Sequence, residues 1–328
     1  MTADEVDLIC NIRNDGKTHE DFNTATGRDN YLFSMSEKEF AVLYKYRENN
    51  KPASRGDSDY KRREMLKHRD GIENNRTTKR LFFDIETSPL VVYTFRVGFK
   101  LNISYENIIE DWRIISIAYK WEGENEVHAL VWDKQHSDKE LLREFVKVAN
   151  TADELIGHNG DRFDIKKIRT RCIFHRIPMF PKYRTLDTLK KARGGFAFDS
   201  NKLDAIAKYL GVGAKMQHEG FPMWVKCMQG DKEALENMIK YNKVDVVVLE
   251  DVYIAMQHYI KPNSHAGVAN GMAKYSCPIC GCEEIELIKN DVTEKGTISR
   301  VVKCKSCTHH YNISNKSYMD YLTRVIND

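Results

Sequence analysis

The sequence predicts an α/β protein: a mixed sheet flanked by helices, with a helical extension before it and a small cysteine-bearing unit after it. Three observations carry this reading. The strand-like runs RLFFDIET, RIISIAYKW and EVHALVW follow one another between residues 80 and 132. Helical and strand patterns then alternate to about residue 260, which suits a sheet with helices on its faces rather than a barrel. Five of the eight cysteines crowd into the C-terminal fifth, as Cys277, Cys280, Cys282, Cys304 and Cys307.

Bulk properties narrow the class. A chain of 328 residues fits two or three domains. Its 51 Lys and Arg against 48 Asp and Glu leave a net charge of +3, so overall charge does not announce a polyanionic partner. The opening MTADEVDLICNIRNDGK carries early acids and no apolar run, which argues against a secretory signal. No stretch approaches the roughly 20 apolar residues of a membrane span. The expectation is a soluble, cytoplasmic protein without a membrane partner.

Residues 1–48 read as a helical extension. DEVDLICNIRN spaces Val6, Ile9 and Ile12 at helical intervals before Asp15-Gly16 interrupts it, and Ser36 with Glu39 resembles a capping box. Such helices can form a DNA-reading helix-turn-helix, although a docking appendage is the plainer reading. Residues 49–79 are polar and rich in bases, and read as a linker or a solvated helix. Residues 80–262 hold the α/β pattern. There Glu122-Gly123-Glu124-Asn125 is a loop of hairpin length between the second and third strands. A helix over DKELLREFVKVAN and a strand over ELIGH follow. FDIKKIRTRCIFHRI then reads as a helix with Ile165, Ile168, Cys172 and Ile173 inside, and Lys167, Thr170 and Arg171 outside. YRTLDTL reads as another strand, and a long helix is expected from about Asp231 through Tyr259. Cys10, Cys172 and Cys227, scattered singly, read as core residues.

The chemistry lies in paired acids. Asp84 and Glu86 are two apart in a strand, so both point to one face while Phe83 and Ile85 point to the other. Two acids side by side on an apolar strand are costly unless a cation neutralises them. The stretch Asn159-Gly160-Asp161-Arg162-Phe163-Asp164 follows the strand ELIGH and opens a helix, where a carboxylate can face the same pocket. Tyr241 and Asp245 are four apart in the long helix and share one of its faces.

Taken together, FDIET, the segment Asn159–Asp164 and the Tyr241/Asp245 pair resemble the three motifs of the DEDD (DnaQ-like) 3′→5′ exonuclease superfamily, over about residues 80–260. The tyrosine marks the branch that includes proofreading domains of family B polymerases. The stretch HEGFPMWVKCMQGDKEALENMIKYNKVDVVVLE also looks like phage-encoded exonucleases of that branch. The resemblance implies an RNase H-like fold and two catalytic Mg²⁺ or Mn²⁺ ions. Asp84 would bridge both ions, Glu86 and Asp245 would hold the nucleophile-side ion, Asp164 would serve the other, and Tyr241 would orient the attacking water. Between the second and third motifs, Asp187 reads as a helix-starting acid that could instead flank the site. Phe196 and Phe198 are candidates for base stacking or for core, and His218 and Trp224 for the substrate groove.

Cys277-x-x-Cys280 and Cys304-x-x-Cys307 are two knuckles with 23 residues between them, and the intervening EEIELIKN and TISRVVKC look like hairpin strands. Two such knuckles can place four thiolates around one structural Zn²⁺, so residues 270–328 read as a zinc ribbon and tail. Cys282 is a spare thiol, and His309 and His310 are possible substitutes for one cysteine. The expected activity is removal of nucleotides from a 3′ end of single-stranded DNA, in the host cytoplasm if the chain is phage-encoded. A proofreading role would need a separate polymerase or replication protein. The alternatives are a nucleic-acid-binding or replisome scaffold protein, and an RNA exonuclease.

Overall fold

The computed structural model describes residues 3–14, 16–18, 21, 36, 38–39, 42–43, 45–46, 78–98, 100–213 and 219–327. The basic segment expected over 49–79, apart from its last two residues, and His218 lie outside the described residues. The chain divides into two compact units, Thr77–Ala269 and a second made of Met1–Arg76 with Asn270–Asp328.

In chain order the elements are α1 (Ala3–Arg13), β1 (Arg80–Thr87), β2 (Val91–Val92), β3 (Ile108–Glu110), β4 (Ile114–Trp121), β5 (His128–Val131), α2 (Lys139–Ala149), β6 (Glu154–Gly157), α3 (Asp164–Phe174), β7 (Thr185–Asp187), α4 (Thr188–Gly195), α5 (Leu203–Leu210), α6 (Phe221–Met228), α7 (Lys232–Met256), α8 (Ala266–Ala269), β8 (Ile285–Val292), β9 (Ile298–Cys304), β10 (His310–Ser314) and α9 (Asn315–Asn327).

The larger unit is built on a five-stranded mixed sheet in the order β5-β4-β1-β6-β7. β5, β4 and β1 form the expected antiparallel meander, and β6 and β7 join β1 in parallel. The central β1 is covered on both faces. Leu81, Phe83 and Ile85 enter a core with Leu142 and Phe145 of α2 and Ile165 and Ile168 of α3. Phe82, pointing the other way, enters a second core with Ile206 of α5 and Val246, Leu249 and Tyr253 of α7. This is the mixed sheet flanked by helices that the sequence predicts. Asp84 and Glu86 share the Phe82 side by strand alternation, so the acids face the layer that contains α7.

Differences from the sequence reading are local. The third strand is shorter than EVHALVW, covering only His128–Val131. Residues 91–92 and 108–110, read as loop, pair as a short hairpin. In α3 two residues exchange places: Ile173 is exposed and Arg171 is buried. The helical period explains both. Arg171 lies three residues after the buried Ile168 and shares its face, whereas Ile173 is turned about 100° from Cys172. Arg171 tolerates burial because both its Nε and its Nη2 donate to Asp138, at 2.7 and 2.9 Å. Asp138 also accepts the Ile114 N–H and lies 2.6 Å from His175 Nε2.

In the other unit, α1 buries Val6, Ile9 and Cys10 with Leu43. The capping box is present: the Ser36 N–H donates to Glu39 Oε2, and the Glu39 N–H donates to Ser36 Oγ. The C-terminal part holds a three-stranded sheet in the order β10-β9-β8. β8 and β9 are the expected hairpin. β10 and α9 extend it beyond the sequence reading, and Ile313 and Leu322 from them close a small core with Val302.

Candidate functional site

Carboxylate oxygens of Asp84, Glu86 and Asp245 all lie within 4.8 Å of one another. β1 supplies the first two and α7 the third. Asp84 and Glu86 are half-buried, while Asp245 is only 2% exposed. Three like charges gathered in this way require a counter-charge, and oxygen donors of this kind suit a hard divalent cation. The acidic cluster is therefore compatible with a metal ion.

Asp164 lies outside that trio but meets the same strand. Its Oδ1 accepts the N–H of Ile85, the residue between Asp84 and Glu86, at 3.2 Å. Burial pushes its carboxyl up to about 7, against the lowering effect of the Ile85 N–H, and the charge of Asp187 adds to the rise. Tyr241 is buried one turn before Asp245, with the Trp224 ring edge-on to it at 6.4 Å between centroids.

The turn that delivers Asp164 is tightly built. Asn159 adopts a left-handed backbone, φ +69°. The Asp187 carboxylate accepts the N–H groups of Asn159 and Asp161 on this turn, and those of Leu189 and Lys190 at the start of α4. Asp187 is thus the helix-starting acid that the sequence predicts, and it also fixes the Asn159–Asp164 segment. Glycine gives room where the strand meets the turn, since a Cβ on Gly157 would sit a tight 3.1 Å from the Cα of Gly160.

Asn242 touches the acidic cluster, and the sequence reading passed over it. It is fully buried; its Nδ2 donates to Asp84 Oδ2 at 2.8 Å, and its Oδ1 accepts from the buried Ser116 Oγ at 3.0 Å. This chain fixes one oxygen of Asp84. A signal was present in the sequence: asparagine disfavours helix interiors, and Asn242 stands three residues before Asp245, on its face. Phe196 and Phe198 stack on each other at 5.2 Å and pack against the second core.

The four knuckle cysteines form a second cluster, with all their sulfurs within 4.8 Å. Cys277 Sγ is 3.5 Å from Cys307 Sγ, and Cys280 Sγ is 3.6 Å from Cys304 Sγ. Four sulfurs at the Zn–S bond length of about 2.3 Å would stand about 3.8 Å apart in a tetrahedron, so the cluster fits a zinc ion with little adjustment. Burial pushes the Cys307 thiol up to about 11 and Cys277 higher still. Thiolates at Cys277 and Cys307 need a cation beside them, whereas Cys280, despite partial burial, is lowered by hydrogen bonds from the Cys282 backbone and the neighbouring thiols. The knuckles are matched turns: Gly281 and Thr308, each four residues after the first cysteine of its pair, donate their N–H to Cys277 O and Cys304 O, and both have positive φ. Cys282 lies outside the four, its thiol 3.9 Å from Glu284 O, and His309 is stacked on Tyr311.

A family model described as the RNase H superfamily matches residues 81–257. No curated protein matches the chain. Among solved structures, the chain is similar to the family B DNA polymerase from the hyperthermophilic archaeon Pyrobaculum calidifontis. Identity is 16% and the TM-score 0.44, over 56% of this chain and 25% of the polymerase chain. The chain thus spans about a quarter of that protein's length.

Proposed function

Because the chain belongs to the RNase H superfamily, we propose that this nuclease is a metal-dependent 3′→5′ exonuclease of the tyrosine-bearing DEDD type, acting on single-stranded DNA. The observation that carries the reading is the convergence of Asp84, Glu86 and Asp245 within 4.8 Å, with Asp164 anchored on the intervening Ile85 N–H. These four acids would hold Mg²⁺ or Mn²⁺. Bound there, such ions supply a hydroxide nucleophile at neutral pH and neutralise charge on the scissile phosphate and leaving oxygen.

The chain's own groups do the positioning. Asn242 holds one oxygen of Asp84 and so orients the carboxylate. Tyr241, one helical turn before Asp245, is the group assigned to orient the attacking water. Asp187 and the left-handed Asn159 hold Asp164 at its place in the site. In the domain division we favour, residues 80–262 form the catalytic core. Residues 270–328 form a ribbon on one structural Zn²⁺ bound by Cys277, Cys280, Cys304 and Cys307. Residues 1–48 form the helical extension.

The decisive experiment offers end-labelled DNA and RNA oligonucleotides to the full chain in Mg²⁺, Mn²⁺ or EDTA. Shortening of the DNA from its 3′ end in Mg²⁺ or Mn²⁺, lost in EDTA and in Asp84→Ala, is the expected result. Full activity in EDTA or in Asp84→Ala overturns the assignment, and preferential degradation of RNA redirects it to an RNA exonuclease.

A further inference from the structure

An apolar arm leaves β1 immediately after the paired acids. Thr87, the last residue of β1, is followed by Ser88, whose N–H donates to Arg113 O at 2.8 Å while the Arg113 N–H donates to Ser88 Oγ at 2.9 Å. This clasp closes the neck of a loop over residues 89–112. Within the loop, β2 and β3 pair, and Asn107 ties the strand ends by accepting the Tyr93 N–H and donating its Nδ2 to Tyr93 O. The foot of the arm reaches the start of α3, where Lys167 Nζ sits 3.5 Å above the Trp112 ring and 5.6 Å from the Phe163 ring, beside Asp164. The arm is therefore rooted between two of the acidic motifs.

Its outer part carries aromatic rings that the fold leaves in water. Phe95 is 107% exposed, Tyr105 80% and Tyr93 73%. Exposed apolar surface of this kind, on a short two-stranded hairpin that gains little stability from itself, marks an interaction site. The rings and bases share residues 93–105, which hold Arg96 and Lys100 and no acid, while the loop's acids, Glu106, Glu110 and Asp111, all follow Tyr105. Aromatic faces interleaved with bases are the chemistry that holds unpaired bases and their phosphates.

We propose that this arm is a docking surface for single-stranded nucleic acid, with bases stacking on Tyr93, Phe95 and Tyr105 and phosphates held by Arg96 and Lys100. The proposal rests on the nuclease reading above but not on its 3′ polarity. A strand held here is steadied beside the acids, so the arm acts on affinity and not on the chemical step.

The test compares the full wild-type chain with Tyr93→Ala/Phe95→Ala and with Arg96→Ala/Lys100→Ala. Affinity for a fluorescent 12-nucleotide oligothymidylate is read by anisotropy in Ca²⁺ across a salt series. Hydrolysis of p-nitrophenyl thymidine monophosphate in Mn²⁺ reads the metal centre alone. The aromatic variant is expected to bind about 10-fold or more weakly, as the loss of stacked bases dictates. The charge variant should lower the slope of log K against log salt by about 1.4, and both should hydrolyse the ester as wild type does. Unchanged affinity in the aromatic variant overturns the proposal. So does a change in sedimentation coefficient with unchanged affinity, which assigns the arm to contact between copies of this chain. A wild-type chain that binds no oligonucleotide overturns both this proposal and the function. One that binds but does not shorten DNA from its 3′ end overturns the function alone, leaving the arm to be judged by affinity.

Discussion

Asn242 and Asp164 show how single side chains set the state of the acidic cluster. Asn242 donates to Asp84 Oδ2 and is itself held by Ser116, so removing its amide frees a carboxylate to rotate. Asn242→Ala is expected to weaken Mn²⁺ binding by about 10-fold, the scale seen when groups that orient metal ligands are lost. Titration of Mn²⁺ into the variant checks this, and wild-type affinity would remove Asn242 from the design. Asp164 makes a prediction in pH. Its folded value of about 7 stands above the roughly 3.9 of an unfolded aspartate, so folding favours the neutral acid. The metal-free protein therefore keeps this contribution below about pH 4 and loses it as pH rises from there to 7. Asp164→Asn, which imitates the neutral acid, should raise the Tm measured in EDTA by about 5 °C at pH 8 and hardly at all at pH 4. The reverse order would show that Asp164 is not strained by burial.

At the scale of elements, what was legible followed from simple periods. The period of two placed Asp84 and Glu86 together on β1, and the helical period put Tyr241 and Asp245 on one face of α7. Where charge and period compete, the pattern misleads. Arg171 enters the core because Asp138 waits there on a different element, a pairing separated by 33 residues that no local pattern reveals. β10 was missed although HYNIS alternates polar and apolar residues, because a run of five with one buried aliphatic, Ile313, is too short a signal on its own. The hairpin of β2 and β3 was missed because its strands are only two and three residues long and none of their residues is buried, so they carry no in-and-out alternation. The ribbon tests the element scale directly. With only a handful of residues in its core, it should depend on its metal. Cys277→Ser with Cys304→Ser is expected to lose one zinc per chain and to unfold residues 277–307, measured by elemental analysis and by hydrogen exchange. A folded ribbon without metal would show that the cysteines do not hold it together.

For the whole molecule, the division into Thr77–Ala269 and the remainder makes the sheet, its helices and all four acids one continuous stretch of chain. Both cores that cover β1 are drawn from that stretch. A chain of residues 77–269 is expected to fold cooperatively and to cleave short oligonucleotides at close to the full-length rate. An unfolded fragment, or a folded one that does not cleave, would tie the site to the other unit. The sequence reading reached this architecture because the motifs punctuate it in order. It did not reach Asn242 or the role of Asp187 in the Asn159 turn, because both act through partners brought close only by the sheet.

The sulfur spacing in the ribbon has a consequence for how the protein ages. Cys277 and Cys307 are 3.5 Å apart at their sulfurs, and Cys280 and Cys304 are 3.6 Å apart. An ion bound between them would keep these pairs from an oxidant, since a coordinated thiolate is not free to attack or be attacked. Stripped of it in air, each pair would be within a small motion of a covalent bond, and oxidation would compete with reloading. A sample chelated in air should therefore refuse zinc until dithiothreitol is added, whereas one chelated under nitrogen should take it back at once. The ribbon would then record, in its bonds, whether the chain has ever been without its metal in the presence of oxygen.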